Sequence, residues 1–287
     1  MSDSIMVGPM ADPNKRDRLN GISKKNFGKL MPLLIIVYII SFIDRTNIGM
    51  AKEALSADVG LDAAAFGLGA GLFFAAYAFL EIPSNLLMHR FGARFWITRI
   101  MITWGLISMA MALTWNEWSF YVLRVLLGIA EAGLYPGIIL YITYWFPRHE
   151  RAKAIGLFLL GVSLANIIGA PLGGLLLQLD GMAGLHGWQW MFIIEGLPAV
   201  LLAFVVWFRL PDRPSGASWL SSDEKELLEE QLAAEDDGQG AKAHGFRALI
   251  PVAKDPIIWV VIGVYFTHQV AVYSLLSLIH ISEPTRL

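Results

Sequence analysis

Long apolar stretches, each of about 20 residues, constrain this chain more than any other feature of its sequence. An α-helix of that length crosses the hydrocarbon core of a bilayer, because a helix rises about 1.5 Å per residue. Hydrophobic residues make up 56% of the chain, more than a soluble globular domain usually carries. We therefore predict an all-α polytopic membrane protein with spans near residues 30–50, 66–88, 95–113, 120–141, 152–177 and 188–208.

Polar segments around these spans divide the chain. We predict a cytoplasmic amino-terminal tail at residues 1–29 and a six-helix transmembrane bundle at residues 30–209. Residues 210–255 are polar, acidic and punctuated by Pro and Gly, which indicates a cytoplasmic linker. A seventh transmembrane helix is expected at residues 256–278.

The linker contains a pattern typical of a helix start. Ser221 or Ser222 can cap a short helix whose first turn holds Asp223 and Glu224, where acids are favourable. We interpret this acid-rich helix as a structural element with a solvated face.

Lys and Arg are distributed unevenly between the two sets of loops. They concentrate in the tail, in the loop after the second span and in the loop after the fourth span, while the opposite loops carry Lys52 among several acids. Because cytoplasmic loops are enriched in Lys and Arg, we predict a cytoplasmic amino terminus. The expected location is the plasma membrane, which is the inner membrane in a bacterium.

Ionisable side chains occur inside the predicted spans, where they are costly unless they face a polar interior or one another. Asp44 and Arg45 lie in the first span, and Arg124 and Glu131 in the fourth. The spacing of Arg124, Glu131 and Tyr135 places them on one stripe of a single helix. These helices are therefore predicted to surround a polar central site.

A second stripe is predicted on the first span, where Tyr38, Ser41 and Arg45 share a helix face. Arginine suits the binding of an organic anion, because its planar guanidinium grips a carboxylate through two hydrogen bonds and stays charged. We therefore predict Arg45 and Arg124 as substrate ligands. Three further side chains are predicted to contact the substrate through polar groups: Tyr38, Asn166 and Tyr135.

The acids are predicted to do different chemistry, since a carboxylate in a low-dielectric cavity can bind a proton near neutral pH. Our hypothesis is that Asp44 and Glu131 carry protons. The alternative is that Asp44 with Arg45, or Arg124 with Glu131, forms a static buried pair that fixes helix packing. Packing is the favoured interpretation of Glu195 in the sixth span.

Three motifs together resemble one transporter family. They are FIDRTNI at residues 42–48, EIPSNLLMHRFGAR at residues 81–94, and GWQW followed by EG at residues 187–196. They are similar to the major facilitator superfamily and, within it, to the anion:cation symporter group, which includes permeases for sugar acids, tartrate, phthalate and other aromatic acids. The resemblance implies proton-coupled symport of an organic anion by alternating access, with Asp44 and Glu131 as proton carriers.

The loop after the second span departs from the family pattern. Asn85 and His89 occupy the positions where the family pattern has Gly and Asp, which weakens the interpretation of a charge latch through the Asp. Arginines here can still close an inner gate by pairing with acids or with a helix carboxyl end. The alternative is that they only follow the positive-inside bias. The candidate gate residues are Glu81, Arg90, Arg94 and Arg151.

Other function classes find less support. A seven-span receptor would place its amino terminus outside, and a membrane enzyme would need a catalytic cluster, yet the six His are scattered. We predict no enzyme activity, no cofactor, no metal site and no nucleic-acid partner. The expected partners are a small organic anion, protons and the lipid bilayer. A non-transporting receptor or sensor on the same fold and an inactive truncated fragment remain alternatives.

The resemblance also implies a chain of twelve spans. We therefore expect this sequence to be an amino-terminal fragment whose carboxy-terminal six-helix half is missing, and which does not transport alone. Residues 279–287 do not resemble family sequence, and we interpret them as a non-native tail. Alternating access needs both halves around a shared site.

Overall fold

The computed structural model describes residues 13–237, 254–264 and 267. The chain divides into two compact units, the first of which ends at Glu235. No strand occurs among the described residues, so the predicted all-α class is confirmed. The helices are α1 (Pro13–Val59), α2 (Ala63–Phe91), α3 (Ala93–Ala110), α4 (Glu117–Glu131), α5 (Leu134–Thr143), α6 (Arg148–Leu177), α7 (Gly187–Arg209) and α8 (Ser222–Asp237).

Six membrane spans are found among the described residues, as the sequence predicts. They are α1, α2, α3 with its 3₁₀ extension Met111–Leu113, the pair α4 and α5, then α6 and α7. Large apolar side chains cover much of the outside of the bundle, including Phe79 at 81% and Phe208 at 79% exposure. Such a surface suits contact with lipid rather than with water.

Three helix pairs make the most extensive contacts: α3 with α7, α1 with α6, and α2 with α4. Further contacts of α7 with α1 and of α3 with α4 join the pairs into one bundle. The larger apolar cluster contains the fully buried side chains of Trp104, Tyr141, Trp145 and Phe158. Polar side chains of the candidate site therefore lie among tightly packed aromatic groups.

Helix α1 is longer than its apolar run, because it begins at Pro13 and includes most of the predicted tail. Buried contacts explain the extension, since Leu19, Ile22 and Asn26 are enclosed by other parts of the first unit. In the second unit, residues 256–264 are helical. The remainder of the predicted seventh span and residues 279–287 lie outside the described residues.

Helix α8 begins at a reciprocal cap, as its sequence predicts. The backbone N–H of Glu224 donates to Ser221 Oγ at 3.3 Å, and the backbone N–H of Ser221 donates to the Glu224 carboxylate at 3.0 Å. The Lys25 ammonium of α1 donates to the same carboxylate at 2.7 Å. The hydrogen bond from Lys25, followed by the backbone hydrogen bond at Ser221, lowers the pKa of Glu224.

The face of α8 is less solvated than we predicted, because the helix docks onto the bundle. Arg151 of α6 lies 3.4 Å from Glu235, and Arg148 donates to the same residue. Just before the helix, the indole of Trp219 donates to Asn26 at 3.0 Å and stacks on Trp145. Charge pairing at both ends of α8 therefore fixes it against α1 and α6.

Candidate functional site

A buried ion pair joins α1 to α4 at the centre of the candidate site. Arg45 Nε donates to Glu131 Oε1 at 2.6 Å, and Ser41 Oγ donates to the same oxygen at 2.8 Å. The Glu131 side chain is fully buried, whereas 24% of the Arg45 side chain is exposed. Arg45 Nη2 and Glu131 Oε2 are buried without hydrogen-bond partners, so both groups keep capacity for another ligand.

Helix periodicity explains why Ser41 and Arg45 act together. They are four residues apart on α1, so both project from one face. The predicted stripe on the first span therefore does meet Glu131. The ion pair, however, links Arg45 with Glu131, which is neither of the two static pairs considered from the sequence.

The position of Glu131 depends on a break in the fourth span. Glu131 is the last residue of α4, and Gly133 has φ of 90°, in the left-handed region that favours glycine. Ser84 Oγ of α2 donates to the Ala132 carbonyl at 2.7 Å, which satisfies an acceptor freed by the break. A Cβ at Gly133 would collide with Ser84 Oγ.

Because of this break, the prediction of a single stripe along the fourth span is wrong in part. Arg124 and Glu131 do share α4, but Tyr135 belongs to α5, beyond the break. Tyr135 nevertheless reaches the predicted neighbour, because its ring lies 5.7 Å from that of Tyr38. Tyr38 also stacks on Phe158 of α6 at 4.3 Å, so the aromatic rings form a wall beside the ion pair.

Arg124 lies apart from this ion pair and faces α2. Its guanidinium is 4.5 Å from the centre of the Phe73 ring, and its Nε donates weakly to the Gly69 carbonyl at 3.4 Å. The residue is 4% exposed, and no ion pair of 4 Å or less involves it among the described residues. It interacts with Asp44 and Glu131 only through longer-range electrostatics.

Asp44 points away from Arg45, toward α3. Trp104 Nε1 donates to one carboxylate oxygen at 2.8 Å, and Ser108 Oγ donates to the other. Asp44 is 4% exposed, so these donors replace water around a buried acid. The structure thus separates the two predicted proton carriers: Glu131 pairs with a base, and Asp44 is held by neutral donors.

Sequence reasoning missed three residues of this region. Tyr77 of α2 places its ring 4.7 Å from the guanidinium carbon of Arg45, and Trp104 and Ser108 hold Asp44. Tyr77 and Glu81 are four residues apart, so the sequence could have predicted that both lie on one polar face of α2. Trp104 and Ser108 have the same spacing on α3, but nothing local in the sequence links them to Asp44.

Asn166 and Glu81 occupy less enclosed positions. Asn166 is exposed on α6, and its amide donates to the Val162 carbonyl of the preceding turn at 3.0 Å. Glu81 is half-buried on α2 and interacts electrostatically with Arg45. Neither residue contacts the Arg45–Glu131 pair directly through a hydrogen bond among the described residues.

The four candidate gate residues do not form one cluster. Arg94 Nε donates at 2.8 Å to the carbonyl of Leu210, the residue that follows α7. Arg151 donates to the Phe146 carbonyl and reaches Glu235. Arg90 is exposed beside Phe91. Arg94 thus lies beside the carboxyl end of α7, and an inner gate formed by these residues stays a prediction.

The central site brings a base and an acid into direct contact. Among the described residues no group of three or more His, Asp or Glu side chains can hold a metal ion. The central site consists of one guanidinium, one carboxylate in contact with it, and three neighbouring tyrosines, which we call the tyrosine wall: Tyr38, Tyr77 and Tyr135. Such a set can bind a carboxylate and a proton in alternation.

Comparison with known proteins gives a consistent result. The family model described as Major Facilitator Superfamily matches residues 34–283. The "Putative tartrate transporter" of Agrobacterium vitis is 46% identical over 77% of this chain and 49% of its own length. The "Quinolone resistance transporter" of Acinetobacter baumannii is 52% identical over 72% of this chain and 48% of its own length.

A third relative, the "Inner membrane transport protein RhmT" of Escherichia coli, is 43% identical over 90% of this chain and 59% of its own length. The chain spans about half the length of these relatives. Their names describe transporters, in agreement with the expectation that the chain is not an enzyme.

Solved structures agree on the fold. A bacterial homologue of the human lysosomal transporter Spinster, in an inward-facing and occupied conformation, aligns with a TM-score of 0.61 at 27% identity. That alignment covers 66% of this chain and 45% of the other. The proton:xylose symporter XylE aligns with a TM-score of 0.63 at 15% identity, covering 82% and 57% of the two chains.

Proposed function

Because this chain belongs to the major facilitator superfamily, we propose that the protein is a secondary transporter that carries a small organic anion together with protons. Transport by alternating access requires a site that two halves of a protein approach from opposite sides. The six spans of the first unit supply one half of such a site. We propose that a second six-helix half supplies the rest.

The Arg45–Glu131 pair carries this proposal. One guanidinium faces two competing acids, the Glu131 carboxylate and the carboxylate of a substrate. While Glu131 is ionised, it occupies Arg45 Nε; once Glu131 takes a proton, the charge attraction is lost and Arg45 is free to grip the substrate. Proton binding and anion binding therefore occur together, which is the requirement for symport.

The tyrosine wall supports a substrate that carries hydroxyl or aromatic groups besides its carboxylate. Tyr38, Tyr77 and Tyr135 surround the ion pair with rings and phenol groups. Phenols donate hydrogen bonds and their rings stack, so the wall suits sugar acids and aromatic acids alike. The relative named for tartrate supports the same chemical class.

A second candidate function rests on another relative. The protein named for quinolone resistance is 52% identical to this chain. This relative supports export of a drug as the alternative function. The two functions differ in a simple readout. Export would raise the quinolone concentration that stops growth of an expressing strain, whereas anion uptake would leave it unchanged.

We further propose a cytoplasmic amino terminus and residence in the bacterial inner membrane. The support is the concentration of Lys and Arg in the amino-terminal part of α1 and in the loops after the second and fourth spans.

Uptake of radiolabelled acids by cells that express the full-length gene tests the proposed function. The panel contains sugar acids, dicarboxylates and aromatic acids, each with and without an imposed proton gradient. We expect gradient-dependent uptake of at least one acid, lost in Arg45→Ala and kept in Arg16→Ala, which removes an exposed arginine far from the site. Uptake that is equal in both variants would contradict the role of Arg45.

A further inference from the structure

Glu195 of α7 is buried in a way that packing alone does not explain. The residue is 4% exposed, and neither carboxylate oxygen has a hydrogen-bond partner. A buried ionised carboxylate without donors is among the most costly groups a protein interior can hold. The group therefore needs a ligand that makes it neutral or satisfies its oxygens.

A second acid acts on Glu195. Glu195 interacts electrostatically with Asp44, across the contact between α7 and α1. Asp44 differs from Glu195 because both of its oxygens accept hydrogen bonds, from Trp104 and Ser108. Two donors suit the ionised form of Asp44, whereas the absence of donors suits the neutral form of Glu195.

Tight packing leaves the pair enclosed. The backbones of α3 and α7 approach so closely that a Cβ added at Gly196 would lie 2.9 Å from the Gly105 carbonyl oxygen. Other charged groups that act on the pair come from α4, since Arg124 and Glu131 interact electrostatically with Asp44. Arg124 offsets part of the charge on Asp44, so one negative charge is tolerated and a second is not.

We propose that Asp44 and Glu195 form a pair of acids that holds one proton, distinct from the Arg45–Glu131 pair: Glu195 carries the proton and Asp44 stays ionised. This inference rests on the proposed function only in treating the bound proton as one that is exchanged during transport. A proton suits the pair better than a metal cation, because a hard cation needs several oxygen ligands, whereas this pair offers two carboxylates, one of which already accepts two hydrogen bonds.

Infrared spectroscopy of the full-length protein in lipid nanodiscs tests the pair without any transport assay. A protonated carboxyl group gives a C=O band that ionised carboxylates lack. At neutral pH we expect such a band in the wild type, its loss in Glu195→Gln, and its retention in Glu131→Gln. The Gln side chains keep the size of the acids they replace.

Two further measurements test the role of Asp44 and the choice of a proton over a cation. In Asp44→Asn the Glu195 band should shift in frequency, because its charged neighbour is gone; this variant also serves if Glu195→Gln fails to fold. Addition of Na⁺ at constant pH should leave the wild-type band unchanged. A band that is identical in Glu195→Gln and the wild type, or one that Na⁺ abolishes, would overturn the proposal.

The infrared result and the uptake result are separable. If no acid is taken up but the band behaves as expected, the proton pair stands and the proposed transport function fails. If uptake depends on the proton gradient and the band is independent of Glu195, the transport function stands and the pair is wrong. If the transport function and the proton on Glu195 are both correct, Glu195→Gln should remove the stimulation of uptake by the proton gradient.

Discussion

Arg45 and Glu131 form an ion pair of 2.6 Å between residues 86 positions apart in the sequence. The acid is fully buried and the base is partly exposed, so solvent reaches Arg45 and not Glu131. In the proposed transport function, this relationship lets one arginine act on both the anion and the proton.

Glu131→Gln removes the charge and keeps the side-chain volume. We expect proton-driven uptake to be lost while substrate binding is retained, because Arg45 no longer has a competing carboxylate. Binding is measured by substrate protection against thermal unfolding, and uptake with a radiolabelled acid. Glu53→Gln is the control, since Glu53 is exposed on the same helix as Arg45. Full gradient-driven uptake in Glu131→Gln would refute the role of Glu131.

Gly133→Ala tests the break in the fourth span. Left-handed backbone costs a residue with a Cβ about 1–2 kcal/mol, and here that Cβ also meets Ser84. We expect a lower unfolding temperature in detergent. Gly174→Ala is the matched control, because nothing lies within 4 Å of its added Cβ and Ala favours helix. Equal unfolding temperatures of the two variants would argue against a break at Gly133.

Trp104→Phe removes one donor from the buried Asp44 carboxylate and keeps an aromatic ring in the core. Hydrogen bonds to charged groups contribute about 1.5–3 kcal/mol, so we expect a loss of stability of that order. Chemical unfolding measures it. Trp118→Phe, at a site that is 75% exposed, should change stability little. If the two substitutions cost the same, the hydrogen bond to Asp44 contributes nothing measurable.

The Lys25–Glu224 contact predicts a pH dependence for the docking of α8. The pKa of Glu224 is lowered in the folded state, so the contribution is fully present above its ordinary value of 4.5 and is lost as the pH falls below it. Lys25 is 49% exposed, so the stabilisation is small, at about 0.2–1 kcal/mol.

Hydrogen exchange of α8, corrected for intrinsic rates, measures this docking. Lys25→Gln should increase exchange in α8 at neutral pH and remove most of its change on acidification. Lys24→Gln is the control, because Lys24 is exposed and lies next to Lys25 in α1. This variant should change neither the exchange of α8 at neutral pH nor its response to acidification. Identical exchange in the two variants would exclude the ion pair as a source of docking.

Membrane orientation is testable because the chain contains no cysteine. Single cysteines at Lys24 and Met182 lie at opposite ends of the bundle in the predicted topology, and both native side chains are exposed. An impermeant maleimide added to intact cells should label Met182→Cys and not Lys24→Cys. The reverse pattern would invert the proposed topology.

Periodicity was sufficient to predict the spans and the stripe of Ser41 and Arg45, because helical spacing is a local property. The break at Gly133 was not predicted, since a glycine within an apolar run carries no sign of its backbone conformation. The donors to Asp44 come from α3, and nothing local to Asp44 identifies them. Pairing between distant helices depends on their packing, so the sequence predicted a role for Arg45 but considered Asp44, and not Glu131, as its ion-pair partner.

Glu131 occupies the last position of α4, where the free carbonyls of the helix end carry partial negative charge. A sequence selected for stability alone would favour Lys or Arg there, and the observed acid needs Arg45 to offset its repulsion. Any lineage that loses the arginine therefore gains by losing the acid as well. The two positions should therefore change together in evolution.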